Sequence, residues 1–253
     1  FRANEDSLKA AASEWLRSNP HRIHLGMIGL QIFKEDGNEI NIGDVRNPVQ
    51  KLDLWTGKIT SRFMIGNTPV EVVTVCHPDK DLISGRVISK LISEDRLKIR
   101  ISFPLGVSLP SGYDFSQPDK HSTVILSDSG NETVFERKQE KDNYYVKVNH
   151  PGAGLKVYDK HLFCLDPVAD TVLEFSCLFS KEFPGERADI FDEVAEASKK
   201  SWFEFWMTGG AVDLSECTDT RAFELERRVV LSRYLTRIQC SGSLPPAETG
   251  LTY

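Results

Sequence analysis

No run of apolar residues in this 253-residue chain exceeds a handful of positions, far short of the roughly 20 needed for a helix to cross a bilayer, so no membrane partner is expected. A surplus of positive charge is missing too. With 31 Lys and Arg against 37 Asp and Glu the formal charge is -6. Such a balance gives no global attraction for a polyphosphate backbone, and nucleic acid is not expected as a partner. Cysteine is scarce: Cys76, Cys164, Cys177, Cys217 and Cys240 are odd in number and show no C-x-x-C spacing. That pattern argues against a zinc site and against a complete disulfide framework, and it reads as separate thiols in a core. The motifs G-x-S-x-G, G-x-x-x-x-G-K-[ST] and G-x-G-x-x-G do not occur, which sets aside the common hydrolase, phosphate-loop and dinucleotide signatures. His21 and His24, the adjacent pair Cys76 and His77, and the scattered His121, His150 and His161 lack further ligands close in sequence. No metal and no cofactor are expected. The chain opens at Phe1 without a basic segment leading into an apolar one, so any export signal is taken as already removed.

What remains is ordinary globular composition, with 40% hydrophobic and 27% charged residues, enough for a sizeable core. Leu8, Ala11, Ala12, Trp15 and Leu16 recur at helical spacing, which predicts a helix over residues 3–18, ended by Asn19 and Pro20. From residue 23 to 183 the chain changes to short runs of Val, Ile, Phe and Thr, separated by Gly, Pro, Asn and Asp. About eleven strands are predicted there, residues 52–65 being read as one of them. Gly37, Gly66 and Gly130 mark turns that need a positive φ. So many short strands predict two packed antiparallel sheets. Residues 187–207 and 219–238 return to helical periodicity, with Phe191, Val194, Ala195, Trp202, Phe205 and Trp206 on one stripe of the first. That apolar stripe predicts a contact between domains. Asn131-Glu132-Thr133 fits the glycosylation acceptor pattern but reads as a turn.

Asp53-Leu54-Trp55-Thr56-Gly57 is the one stretch that suggests ligand chemistry. If residues 52–65 form one strand, Asp53 and Trp55 share a face, where an indole stacks a sugar ring and a carboxylate accepts hydrogen bonds from its hydroxyls. A tryptophan in a strand is also a common core residue, and both readings stand.

Together with that stretch, Asn19-Pro20-His21-Arg22-Ile23-His24-Leu25-Gly26, Ser201-Trp202-Phe203-Glu204-Phe205-Trp206 and Glu224-Leu225-Glu226-Arg227-Arg228-Val229-Val230-Leu231-Ser232-Arg233-Tyr234 resemble the six-hairpin glycosidase-like proteins, relatives of glycoside hydrolase family 65. The tail Gln239-Cys240-Ser241-Gly242-Ser243-Leu244-Pro245-Pro246-Ala247-Glu248-Thr249-Gly250-Leu251 is similar to their segment entering the catalytic barrel. The resemblance implies a mainly β chain: an N-terminal helix (1–19), an antiparallel, galactose-mutarotase-like β-supersandwich (20–184), and linker helices with the first segment of an (α/α)6 barrel (185–253). It further implies that strands before Phe1 and the barrel after Tyr253 belong to a longer protein.

The function it implies is cleavage of glycosidic bonds by hydrolysis or phosphorolysis, with a carbohydrate substrate and the remaining barrel of the same protein as partners. Glycoside cleavage by inversion needs two carboxyl groups about 6.5 to 9.5 Å apart. In the resembling family the acid lies in the barrel, so no catalytic residue is assigned here. Asp53 and Trp55, at the sandwich end facing the barrel, and Glu248, on a loop at its mouth, are the expected substrate contacts. The alternative is a sugar-binding or structural sandwich with no enzymatic activity. A homo-oligomer, the chain's own sandwich or a companion polypeptide would cover Trp202, Phe205 and Trp206. The resemblance implies a periplasmic or secreted protein, against which the odd cysteine count pulls.

Overall fold

The protein was analysed as a computed structural model that describes residues 9–13, 24–107, 112–168, 170–209 and 211–242. Residues 9–13 are helical, within the span expected for the N-terminal helix, whose other residues lie outside the described ones.

Two antiparallel sheets form the body. The smaller holds β1 (Met27–Ile32), β6 (Leu97–Ser102), β13 (Leu162–Pro167) and β12 (Ala153–Asp159), in that spatial order. The larger has eight strands in the order β2 (Val45–Asp53), β3 (Lys58–Ile65), β4 (Thr68–Cys76), β5 (Leu82–Ile88), β14 (Val172–Ser180), β11 (Asp142–Asn149), β10 (Glu132–Gln139) and β9 (His121–Asp128). A short ladder pairs β7 (Leu105–Gly106) with β8 (Tyr113–Asp114). Tight turns fall where glycine supplies a left-handed residue: Gly66 (φ 58°) joins β3 to β4, Gly130 (φ 83°) joins β9 to β10, and Gly37 (φ 82°) closes the turn between Phe33 and Glu39. The sheets close on a common core that includes Ile99, Ile101 and Leu165 from the smaller sheet and Phe135, Val146 and Leu173 from the larger. These side chains alternate with outward ones along each strand, which is why one face of each sheet reads as apolar.

Residues 52–65 are not one strand. The chain leaves β2 at Asp53, turns over Leu54-Trp55-Thr56-Gly57 and returns as β3. A four-residue loop ending in a left-handed glycine (Gly57, φ 68°) closes the hairpin, and strand-forming residues on both sides hide the break from a reading by periodicity.

Three helices complete the described chain: α1 (Lys90–Ser93), α2 (Phe191–Met207) and α3 (Ala222–Cys240). Glu193 starts α2 by accepting the Ile190 amide hydrogen at 3.0 Å and pairing with Arg187 through both carboxylate oxygens. The approach to α2 is held on the outer face of the larger sheet, where Lys147 donates to the Glu186 carbonyl (2.5 Å) and Glu132 accepts from the Ala188 amide (3.0 Å). Phe191, Val194 and Ala195 then bury against Val75 and Leu82 in a second, smaller core. Arg86 covers that core, its guanidinium 4.2 Å from the Phe191 ring centre and paired with Glu174 and Asp192.

Candidate functional site

The β2–β3 turn is where the body meets the C-terminal half of α2. Asp53 organises it: one carboxylate oxygen accepts from the Trp55 amide (2.9 Å) and the other from the Thr56 hydroxyl (2.8 Å). An aspartate bonded to backbone two residues on is a frequent way to fix a turn. The exposed carbonyls of the turn are taken up by the helix, since Trp206 Nε1 donates to Leu54 (2.7 Å) and Ser198 Oγ donates to Thr56 (2.9 Å). Gly57 permits this approach. A Cβ at its position would stand 2.3 Å from Trp202 Nε1 and 2.7 Å from Ser198 Oγ.

Trp55 therefore sits in a turn and not on a strand face with Asp53, a correction to the sequence reading. Its ring centre lies 6.2 Å from Phe203 and 6.4 Å from Trp206, and the residue remains 49% exposed. The chemistry available here is that of an aromatic platform with an open side. Asp53 presents the platform, with both of its oxygens already accepting bonds inside the turn. Glu248 lies outside the described residues.

The aromatic stripe of α2 continues onto α3. Trp202 stacks on Tyr234 with ring centres 5.5 Å apart, and Arg237 lies over both Trp202 and Phe205 at 4.6 and 4.5 Å. Trp206 is buried, so the body itself covers part of the stripe. Beyond this contact the helices stay open, with Phe203 at 53%, Met207 at 62% and Phe223 at 75% exposure.

A polar cluster that no motif announces lies between the sheets. Pairing of β9 with β10, and of β13 with β6, brings His121 and His161 into a stack with ring centres 3.8 Å apart. Arg137, fully buried, donates to the carbonyls of Ser122 and Pro104, the Thr123 hydroxyl, His121 Nδ1 and the Tyr144 hydroxyl. A guanidinium only donates, so His121 must accept through Nδ1. The Thr123 hydroxyl, accepting from Arg137, donates onward to His161 Nδ1 (2.7 Å), whose Nε2 donates to the Pro118 carbonyl (2.8 Å). Both imidazoles are held neutral. Burial, then the neighbouring His161 and Arg137, depress His121 to about 4. Burial likewise lowers His161, outweighing the Pro118 bond. His121 Nδ1 and both nitrogens of His161 are thus engaged, and no cluster of three or more His, Cys, Asp or Glu arranged to hold a metal ion is present among the described residues. No described helix is long and apolar enough to cross a membrane.

No protein-family model matches the chain, and no curated protein does. Among solved structures, one assigned as a kojibiose phosphorylase from the human microbiome aligns with a TM-score of 0.52 and 12% identity, over 81% of this chain and 30% of that one. A bacterial glucoamylase in complex with acarbose aligns with a TM-score of 0.49 and 8% identity, over 72% of this chain and 32% of that one. The chain thus spans about a third of the length of these structures. What it shares with the first is the fold, a β-sandwich followed by a helical linker, as the resemblance implies.

Proposed function

We propose that these residues are the non-catalytic N-terminal portion of a carbohydrate-active enzyme that cleaves glycosidic bonds by hydrolysis or phosphorolysis. The observation that carries this reading is the surface of the linker helices. Phe203 and Met207 stand open to solvent on α2, whose other side is seated on the larger sheet, and Phe223 stands open on α3, where Ala222 alone is buried. Apolar area of this kind is usually covered by another body, and the fold is one that occupies about a third of a much longer matched chain. A catalytic barrel following α3 is the occupant in this reading. The carboxyl pair then belongs to that barrel.

Trp55 and Asp53 border the sugar pocket in this proposal, Trp55 as the platform and Asp53 as the residue that holds it out. Glu248 is a further proposed contact, from the segment after α3. Support comes from the half-open Trp55 ring beside the exposed Phe203. A periplasmic or secreted location is part of the same reading, and it rests on the family resemblance.

The test is to assay the 253-residue chain against disaccharides and aryl glycosides, with and without phosphate, beside the product of the encoding frame carried past Tyr253. The longer protein is expected to turn over a substrate and the chain alone is not. Turnover by the chain at ordinary rates, on the order of 1 per second, would refute a barrel-borne acid. A frame lacking roughly 300 further residues with helical-hairpin periodicity would favour the sugar-binding or structural alternative. Trp55→Ala and Glu248→Gln in the longer protein are expected to raise KM.

A further inference from the structure

Two of the five cysteines, Cys164 and Cys177, are buried, as the sequence reading expects of all five, whereas Cys76, Cys217 and Cys240 are exposed. Cys76 ends β4 and opens its hairpin with β5, where the His77 amide donates to the Leu82 carbonyl at 2.9 Å. Cys240 ends α3. That helix runs back along α2, with Tyr234 stacked on Trp202 and Arg237 donating to Ser201 Oγ at 2.5 Å. Its last turn arrives at the hairpin tip. There the Asp79 carboxylate acts on the Arg237 charge, and Ser241 and Gly242 share with Cys76, Asp79 and Leu25 the walls of a cavity of about 810 Å³. Cys240 comes three residues after Arg237, on the same side of the helix, and directly before Ser241.

A disulfide needs Cα atoms about 4.4–6.8 Å apart. Burial does not hold the end of α3 in place, since Ala222, at the other end, is the one buried residue of this helix. The last turn is therefore free to close over the cavity. We infer that Cys76 and Cys240 are a redox pair, whose disulfide latches the end of α3 to the β4–β5 hairpin. The oxidant is a small disulfide of the oxidised glutathione class. Cys240, as thiolate, attacks one of its sulfurs, which breaks the S–S bond and releases one glutathione. Cys76 then attacks the Cys240 sulfur of the mixed disulfide and releases the second. The two protein thiols are oxidised, glutathione disulfide is reduced, and the two thiol protons end on the two released glutathiones. Cys217 stands apart from the pair. Near it the Leu214 amide donates to Glu226 (2.7 Å), and Glu226 precedes Cys240 by 14 residues of α3, or about 21 Å along the helix axis. The latch does not depend on the proposed glycosidic activity.

Peptide mapping by mass spectrometry, on the 253-residue chain equilibrated with oxidised glutathione and then quenched, tests this. A linked pair of peptides holding Cys76 and Cys240 is expected within the monomer, while the buried Cys164 and Cys177 remain thiols. Cys217→Ser should leave the link intact. Cys76→Ser and Cys240→Ser, both at exposed positions, should keep the parent's circular dichroism and lose the link. Oxidation is further expected to slow amide hydrogen exchange in the last turn of α3 by roughly tenfold or more, and dithiothreitol should restore the original rate. That second readout separates a latch from an incidental bond. Glutathione retained on both Cys76 and Cys240, both left as free thiols, or a link running through Cys217 would overturn the proposal. So would a Cys76–Cys240 bond that leaves exchange in α3 unchanged.

Discussion

The indole of Trp206 donates its Nε1 hydrogen to the carbonyl oxygen of Leu54 at 2.7 Å, across 152 residues of sequence. This bond couples the tip of the β2–β3 hairpin to the end of α2, and the aromatic body of the same residue fills the space between Trp55, Trp202 and Phe205. One side chain thus supplies both polar and apolar halves of the junction, as buried tryptophans commonly do.

Trp206→Phe and Trp206→Ala separate those halves. The phenylalanine variant keeps most of the packing and loses the bond, for an expected cost of about 1 kcal/mol. Alanine should cost about 3–5 kcal/mol because it also leaves a cavity. Urea denaturation of the two variants checks the difference. Equal costs would show that the bond to Leu54 carries the junction alone.

Gly57→Ala is expected to loosen the hairpin from α2. The left-handed φ of 68° costs an alanine about 1–2 kcal/mol. Its Cβ would also meet the Trp202 indole, which Tyr234 and Arg237 hold in place and keep from yielding. Together these predict a loss of about 2–4 kcal/mol, or roughly 5–10 °C in melting temperature for a chain of this size. A scanning calorimetry trace within 1 °C or so of the parent would contradict the contact.

Arg137 has only neutral partners in the core, yet it satisfies five acceptors at once. Arg137→Met matches its length but leaves the Ser122 and Pro104 carbonyls without donors, and the expected loss is about 3 kcal/mol or more. Arg137→Lys, with a single nitrogen at its end, should recover only part of it. Full recovery by lysine in a denaturant titration would mean that charge matters there and the planar fork does not.

Acid is expected to destabilise the protein in a defined window. His121 is depressed to about 4 in the folded chain, against about 6.5 when unfolded. The unfolded state therefore binds more protons across that interval. Stability is complete above about pH 6.5 and falls as the pH drops toward 4, and the lowered His161 acts in the same direction. His121→Gln should flatten stability against pH over that range. A curve with unchanged slope would place the titrating group elsewhere.

Much of the fold was legible because it follows from period. Alternation over the strands and a 3.6-residue repeat over α2 are local properties, and glycines such as Gly37, Gly66 and Gly130 announce turns through the one conformation they alone adopt freely. The turn at Asp53–Gly57 escaped that reading, since Leu54, Trp55 and Thr56 all suit a strand and nothing local marks where a hairpin tip will find a helix.

By itself, then, the sequence determined the class of structure: two antiparallel sheets, then helices. Only the tertiary structure decided which side chains meet. It brought His121 to His161 and Arg137 through strand pairing, set Trp55 beside Phe203 and Trp206, and laid Arg233 and Arg237 on aromatic rings while Arg227 and Arg228 found Glu224. The physical reason is range. Periodicity reports how neighbours a few residues apart share a face, whereas a site depends on contacts between positions tens to hundreds of residues apart, which exist only once the sheets and helices have packed.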